Sequence, residues 1–177
     1  MSEPLVSIRK WGPATWQMLH TISFMVPHKQ PQRQQQYVEF FNSVANVLPC
    51  PSCREHLKQH LKEEPPQCSS ARECAEWVFR LHNKVNQNTG KPAMEDFLQV
   101  VAMYLPPSMF HLIDPTPEEL AKLNEWKKKL DSAENPKKQK KTTQNQPKTW
   151  VVVLVVLLFL LIIAALVYAT VKRPKAK

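Results

Sequence analysis

Sixteen prolines against only two glycines, Gly12 and Gly90, constrain the fold of this 177-residue chain more than any other feature. Tight β-hairpins rely on residues that accept positive φ, glycine above all, so such scarcity argues against a turn-rich β fold. Proline instead opens or closes helices, because its ring fixes φ and removes the backbone N–H. The chain is therefore expected to be all-α, with proline-marked boundaries. Trp16, Leu19, Ile22 and Met25 recur every third residue, in a helix entered through Ile8-Arg9-Lys10-Trp11-Gly12-Pro13 and running to about Val26. A glutamine-rich helix follows from about Gln32 to Leu48, with Tyr37, Phe40, Phe41, Val44 and Val47 or Leu48 on its buried side. A third spans about Cys53 to Lys62, before Glu63-Glu64-Pro65-Pro66. The fourth runs from Ala71 to Asn88, capped by Ser69 or Ser70 and stopped at Gly90 with Pro92 beyond. Met94 to Leu105 reads as a fifth. Thr116-Pro117-Glu118-Glu119 opens a sixth through a capping box, with Leu120, Leu123, Trp126 and Leu130 as its apolar stripe. That stripe has three candidate surfaces: the bundle, a partner or a membrane.

The formal charge of +9 resembles a nucleic-acid signal until it is located. Residues 1–126 carry twelve Lys/Arg and thirteen Asp/Glu, a net of −1, whereas residues 127–177 carry a net of +10. The near-neutral globular part argues against a nucleic-acid partner. Trp150 to Val171 holds no charged residue, has aromatic Trp150 and Tyr168 near its ends, and is followed by Lys172, Arg173, Lys175 and Lys177. At 1.5 Å per residue this run crosses a hydrocarbon core of about 30 Å. Residues 150–171 are expected to be a transmembrane anchor, residues 132–149 a basic flexible linker too polar to build a core, and residues 172–177 a basic tail. Met1 to Lys10 leads into a polar, proline-broken segment rather than a signal-peptide core. The expected topology is a single-pass C-terminal tail anchor with the globular part facing the cytosol.

Leu48-Pro49-Cys50-Pro51-Ser52-Cys53-Arg54-Glu55-His56 places a C-x-x-C pair at the start of the third helix. Pro51 suits the first helical position, so Cys50 falls near the N-cap and Cys53 in the first turn. Unpaired N–H groups there lower a thiol's pKa, and Arg54 and Lys58 add positive charge. Three readings stay open: a redox disulfide, a structural disulfide, and a zinc centre drawing on Cys50, Cys53, Cys68 and Cys74 or on His56 and His60. The wide Cys68-x5-Cys74 spacing fits a second zinc knuckle poorly. On the cytosolic side of a membrane, a C-x-x-C is more often catalytic than structural. Cys68 and Cys74 themselves are candidates for a disulfide tying a loop to the fourth helix, for a second redox pair, or for free thiols.

His20 stands one helical turn after Trp16, and His82 one turn before Asn86, with Asn83 and Val85 between. Core helices rarely gather two amides and an imidazole without a polar partner, and a cofactor with many polar edges supplies one.

Three separated motifs then converge. Trp11-Gly12-Pro13-Ala14-Thr15-Trp16-Gln17-Met18-Leu19-His20, Cys50-Pro51-Ser52-Cys53-Arg54-Glu55-His56, and His82-Asn83-Lys84-Val85-Asn86 with Gly90-Lys91-Pro92 closely resemble the Erv/ALR family of FAD-linked sulfhydryl oxidases over about residues 8–105. The compact domain with a membrane tail looks similar to versions encoded by large DNA viruses. The resemblance implies a four-helix bundle plus a short fifth helix holding FAD, over residues 1–105; beyond the match, residues 106–131 are expected to form an accessory amphipathic helix. It implies a thiol oxidase that forms disulfides in protein dithiols and passes electrons through FAD to molecular oxygen, giving hydrogen peroxide. Cys50 would be the outer sulfur attacked by the incoming dithiol, and Cys53 the flavin-proximal one. Cofactor contacts implied by the match are Arg9, Trp11, Gly12, Trp16, His20, His56, Trp77, His82, Asn83, Val85, Asn86 and Lys91, with no metal. A homodimer and a thioredoxin-like substrate are further family expectations. Two departures stand out. No shuttle cysteine lies before Cys50 or after Cys74, and Phe79 occupies the place of the second cysteine of a long-range disulfide, leaving Cys68 to Cys74 as its replacement. The rival reading is a zinc-binding, membrane-anchored adaptor without activity. A flavin-free thiol–disulfide carrier is a third.

Overall fold

The computed structural model describes residues 7–134 and Leu157. The expected linker, anchor and basic tail otherwise lie outside the described residues. Among the described residues no helix is long and apolar enough to cross a membrane, and the secondary structure is helical throughout.

The first helix, α1, spans Ile8–Ser23. It ends before Val26 because Pro27 disfavours helical backbone at the residue preceding it. The Tyr37 hydroxyl then fixes the exit by donating to the Met25 carbonyl at 2.7 Å. Helix α2, Pro31–Val47, and helix α3, Pro51–Glu63, each open with proline where a missing N–H costs nothing. Helix α4 spans Ala71–Asn88, and its N-cap Ser70 accepts from the Glu73 N–H. At the other end Gly90 takes φ +69°, a left-handed conformation that suits glycine, and the Lys91 N–H returns to the Asn86 carbonyl at 2.8 Å.

Helix α5, Phe97–Tyr104, is three residues shorter at its start than the expected Met94. Asp96 caps it, and the Met94 backbone is already engaged. Asn83 donates to the Met94 carbonyl at 2.9 Å and accepts from the Met94 N–H at 2.7 Å. An unexpected 3-10 turn, Pro107–Ile113, leads to helix α6, Pro117–Glu134. The capping box of α6 is present, with the Glu119 N–H on Thr116 Oγ1 at 3.2 Å and the Thr116 N–H on the Glu119 carboxylate at 3.0 Å.

Two apolar clusters hold these elements. One joins Leu19 of α1, Phe41, Val44 and Ala45 of α2, Leu57 of α3, and Trp77, Val78 and Leu81 of α4. The other joins Phe24, Ala75 of α4, Leu98, Val101 and Ala102 of α5, Phe110 and Ile113 of the 3-10 turn, and Leu123 of α6. The sixth helix therefore packs on the bundle. Its polar ties are Trp126 Nε1 to Asp96 at 2.9 Å and Glu119 to Arg72, while Arg72 Nε also holds the Ile113 carbonyl at 3.0 Å. Residues Met1–Asp131 form one compact unit.

Candidate active site

The Cys50–Cys53 disulfide is closed and sits on the N-terminus of α3. Cys50 is the N-cap, and its sulfur accepts from the Cys53 N–H at 3.2 Å. Arg54, one residue on, turns its guanidinium to the Leu48 carbonyl at 2.6 Å, bracing the turn that delivers the pair. Cys50 is 3% exposed and Cys53 is half-buried. The expected outer sulfur thus belongs to the more deeply buried residue.

The second pair, Cys68–Cys74, is also bonded, and both residues are buried. It ties the loop after α3 to the first turn of α4. All four sulfurs are thereby paired. A zinc ion binds thiolates, so the four-cysteine zinc centre has no sulfur left to build on. His56 and His60, the imidazoles considered with it, belong to no group of three or more His, Cys, Asp or Glu suited to a metal among the described residues.

Helices α1 and α4 bring a set of aromatic and imidazole rings together. Trp16 stacks on His82 with centroids 3.8 Å apart and planes 7° from parallel. His20 Nε2 lies 3.0 Å from His82 Nδ1. Tyr104, at the end of α5, stacks on the other side of His20 at 4.7 Å. Burial, reinforced by neighbouring His82, lowers the His20 pKa to about 3. Burial and then the Lys91 ammonium lower that of His82 to about 4. Both imidazoles are neutral at ordinary pH, so one nitrogen of the pair donates and the other accepts.

Among the described residues, two polar atoms of α1 are buried without a hydrogen bond: Trp11 Nε1 and His20 Nδ1. An unmet indole donor is costly in a folded interior unless something polar meets it. Among the described residues, a Cβ added at Gly12 would touch only Ile8, at an ordinary 3.5 Å, so packing against them does not require glycine there. These features fit a large ligand with ring faces and polar edges lying against α1 and α4.

A cleft of about 320 Å³ opens between α3 and α4, lined by His56, Gln59, His60, Glu63, Lys84 and Asn88. Lys84 pairs with Glu63 across it. His60 is buried, with Nε2 at 3.2 Å from Asn88 Nδ2 and no hydrogen-bond partner on Nδ1. Burial, then the Lys84 charge, holds its pKa below the usual imidazole range.

Of the residues expected to meet a cofactor, the structure joins Trp16, His20 and His82, with Lys91 electrostatically coupled to His82. His56 lines the α3–α4 cleft. Asn83 fixes the Met94 backbone, Asn86 is buried at the end of α4, Val85 is half-buried beside it, and Arg9 and Lys91 are exposed. Trp77 is a core residue, edge-on to Phe41, and its indole N–H donates to the Glu64 carbonyl at 3.1 Å. Tyr104 and Asn88 escaped the sequence reading, which weighed His60 only as a candidate zinc ligand. His60 carried a signal, standing one helical turn after His56; Tyr104 carried none.

Comparison with known proteins agrees with this geometry. A model of the Erv1/Alr family matches residues 13–104, just over half of the chain. The chain is 41% identical over 83 residues to the FAD-linked sulfhydryl oxidase ERV1 of Oryza sativa subsp. japonica, covering 46% of this chain and 42% of that one. A probable FAD-linked sulfhydryl oxidase of Acanthamoeba polyphaga mimivirus is 33% identical over 90 residues, covering 49% and 63%. A similarly named protein of Invertebrate iridescent virus 6 is 31% identical over 94 residues, covering 49% and 85%. The crystal structure of the yeast Erv1 core shares the fold, with a TM-score of 0.53 at 24% identity, covering 59% of this chain and 88% of that one. The match thus spans less than half the length of the rice relative. Matched over the bundle that carries the disulfide and the Trp16–His82 stack, the chain belongs to the Erv1/Alr family.

Proposed function

We propose that this chain is an FAD-dependent thiol oxidase that makes disulfides in protein dithiols. The observation that carries this is the Cys50–Cys53 disulfide on the N-terminus of α3, in a chain whose relatives are named FAD-linked sulfhydryl oxidases. Unpaired Trp11 Nε1 and His20 Nδ1, with the stacked Trp16 and His82 rings, support FAD as the ligand against α1 and α4. Asn83, Val85, Asn86 and Lys91 at the end of α4, Arg9 and Gly12 on α1, and His56 in the cleft are assigned to its remaining edges.

A substrate thiolate attacks Cys50, and Cys53 leaves as a thiolate. The second substrate thiolate closes the substrate disulfide and releases Cys50, so two electrons now sit on the pair. FAD held by these residues would supply a two-electron acceptor for the reduced pair and the means to pass those electrons to molecular oxygen, with hydrogen peroxide as product. Cys50 is buried, so its sulfur must be exposed before the approaching dithiol can attack it. A protein substrate, of thioredoxin-like kind, is assigned by analogy with the family. Cys50 is assigned as the sulfur that takes electrons directly from that partner. We assign a homodimer as the working form and the 150–171 run as a membrane anchor.

The test is the visible spectrum of the purified chain, followed by dithiothreitol addition under air with oxygen uptake recorded. A flavin band near about 450 nm and dithiol-dependent uptake are expected. Cys50→Ser and Cys53→Ser should each abolish uptake and keep the band. A folded but colourless protein, or a serine variant with normal turnover, would overturn the assignment.

A further inference from the structure

The Cys50 sulfur accepts from two donors. One is the Cys53 N–H at 3.2 Å, which the N-cap geometry supplies whatever side chain follows. The other is Ser52 Oγ, also at 3.2 Å. A disulfide sulfur carries no hydrogen, so the serine hydroxyl is the donor. Between the two cysteines only Ser52 offers a side-chain donor, since Pro51 has none.

We propose that the Ser52 hydroxyl stabilises Cys50 as a thiolate and so governs how readily the pair is reduced. The proposal rests on the Cys50–Cys53 pair being the redox centre inferred above. In the first exchange a bond forms between a substrate sulfur and Cys50 Sγ, the Cys50–Cys53 bond breaks, and its electron pair goes to Cys53. In the second, the other substrate thiolate attacks the first substrate sulfur, and the electron pair of the broken bond goes to Cys50. Substrate is oxidised by two electrons, the cysteine pair is reduced by two, and the substrate's two thiol protons pass to solvent or to the new thiolates. Cys50 is the leaving group of that second step, which runs faster the lower its thiol pKa. A hydrogen bond to the thiolate that the neutral thiol uses less well lowers that pKa.

The surrounding charges do not offer an equivalent. The Arg54 guanidinium is engaged by the Leu48 carbonyl, and Lys58 pairs with Glu55 at 3.0 Å. The adjoining stretch from Phe40 to Pro49, at the end of α2, holds no titratable side chain. Ser52 is therefore the side chain whose removal should be felt at Cys50.

The experiment uses the full chain with Cys53→Ser, leaving Cys50 as a lone thiol while Cys68 and Cys74 stay bonded. Its iodoacetamide alkylation is followed against pH, with the modified site identified by mass spectrometry. In the chain with both cysteines, the reduced fraction of the pair is titrated against glutathione. Ser52→Ala should lower the Cys50 thiolate fraction near pH 6, and the reduced-pair equilibrium, by about threefold to tenfold, the range left when water partly replaces a charge-assisted hydrogen bond. Ser52→Thr, which keeps the hydroxyl, should match the parent. An alanine variant within about twofold of the parent, or a threonine variant as impaired as alanine, overturns the proposal. Neither readout needs a bound flavin, so a failure of oxygen uptake strikes the oxidase assignment and leaves this one standing.

Discussion

His20 and His82 face one another from α1 and α4 at 3.0 Å, both held below the range in which an imidazole ordinarily titrates. Their folded pKa values of about 3 and about 4 lie under the unfolded value of 6.5. On acidification the unfolded chain takes up protons near 6.5 while the folded chain does not, so stability falls between that value and the folded ones. Above 6.5 both states are neutral and this contribution is flat. The slope well below 6.5 is about 1.4 kcal/mol per pH unit for each such histidine. Urea unfolding between pH 7.5 and 4 should show it, and His20→Gln should remove one histidine's share; an unchanged slope would mean that burial does not suppress this imidazole. The spacing of His20 after Trp16 and of Asn86 after His82 made each half of the cluster legible on its own helix. The facing of the two helices was not. Tyr104 came from a third element, and no periodicity links it to His20.

Among the elements, α6 was legible at its beginning, because Thr116 and Glu119 form a local capping device that needs no tertiary contact. Its docking surface was not, since an apolar stripe fits a bundle, a partner or a membrane equally well. The structure decides through Leu123, fully buried between the 3-10 turn and α5, while Leu120 on the same helix is 41% exposed. Leu123→Ala should therefore cost about 2–5 kcal/mol of unfolding free energy, and Leu120→Ala less than about 0.5 kcal/mol. Equal costs from urea titrations would show that α6 is not part of the folded core. The 3-10 turn escaped because only Phe110 and Ile113 mark it, three residues apart, the spacing at which 3-10 side chains eclipse. The start of α5 was misjudged for a different reason. Asn83, eleven residues upstream, takes the Met94 backbone out of the helix, a long-range competition that local propensity does not register.

On the scale of the whole molecule, one compact unit spans Met1–Asp131, and the net charge of +10 and the uncharged 22-residue run lie in residues 127–177. Two physical mechanisms could bring such a chain to a bilayer, and they respond differently to salt. Lysines of the linker attract anionic headgroups through a field that decays over about 10 Å at 0.1 M salt and about 3 Å at 1 M. An apolar run that crosses the hydrocarbon core is held by burial and is indifferent to ionic strength. Full-length chain reconstituted with vesicles of neutral lipid should thus float with them in both 0.1 M and 1 M salt. A chain ending at residue 131 should remain behind in both, since it keeps the folded core and loses both mechanisms. Flotation only on anionic vesicles and only at low salt would reduce residues 150–171 to bystanders and assign the membrane contact to the lysines. With the proposed anchor in place, encounter with the proposed dithiol partners would be confined to one membrane surface, where the buried Cys50 would still have to be exposed. Anchoring would then raise the local concentration of the chain around membrane-bound partners without adding a contact at Cys50.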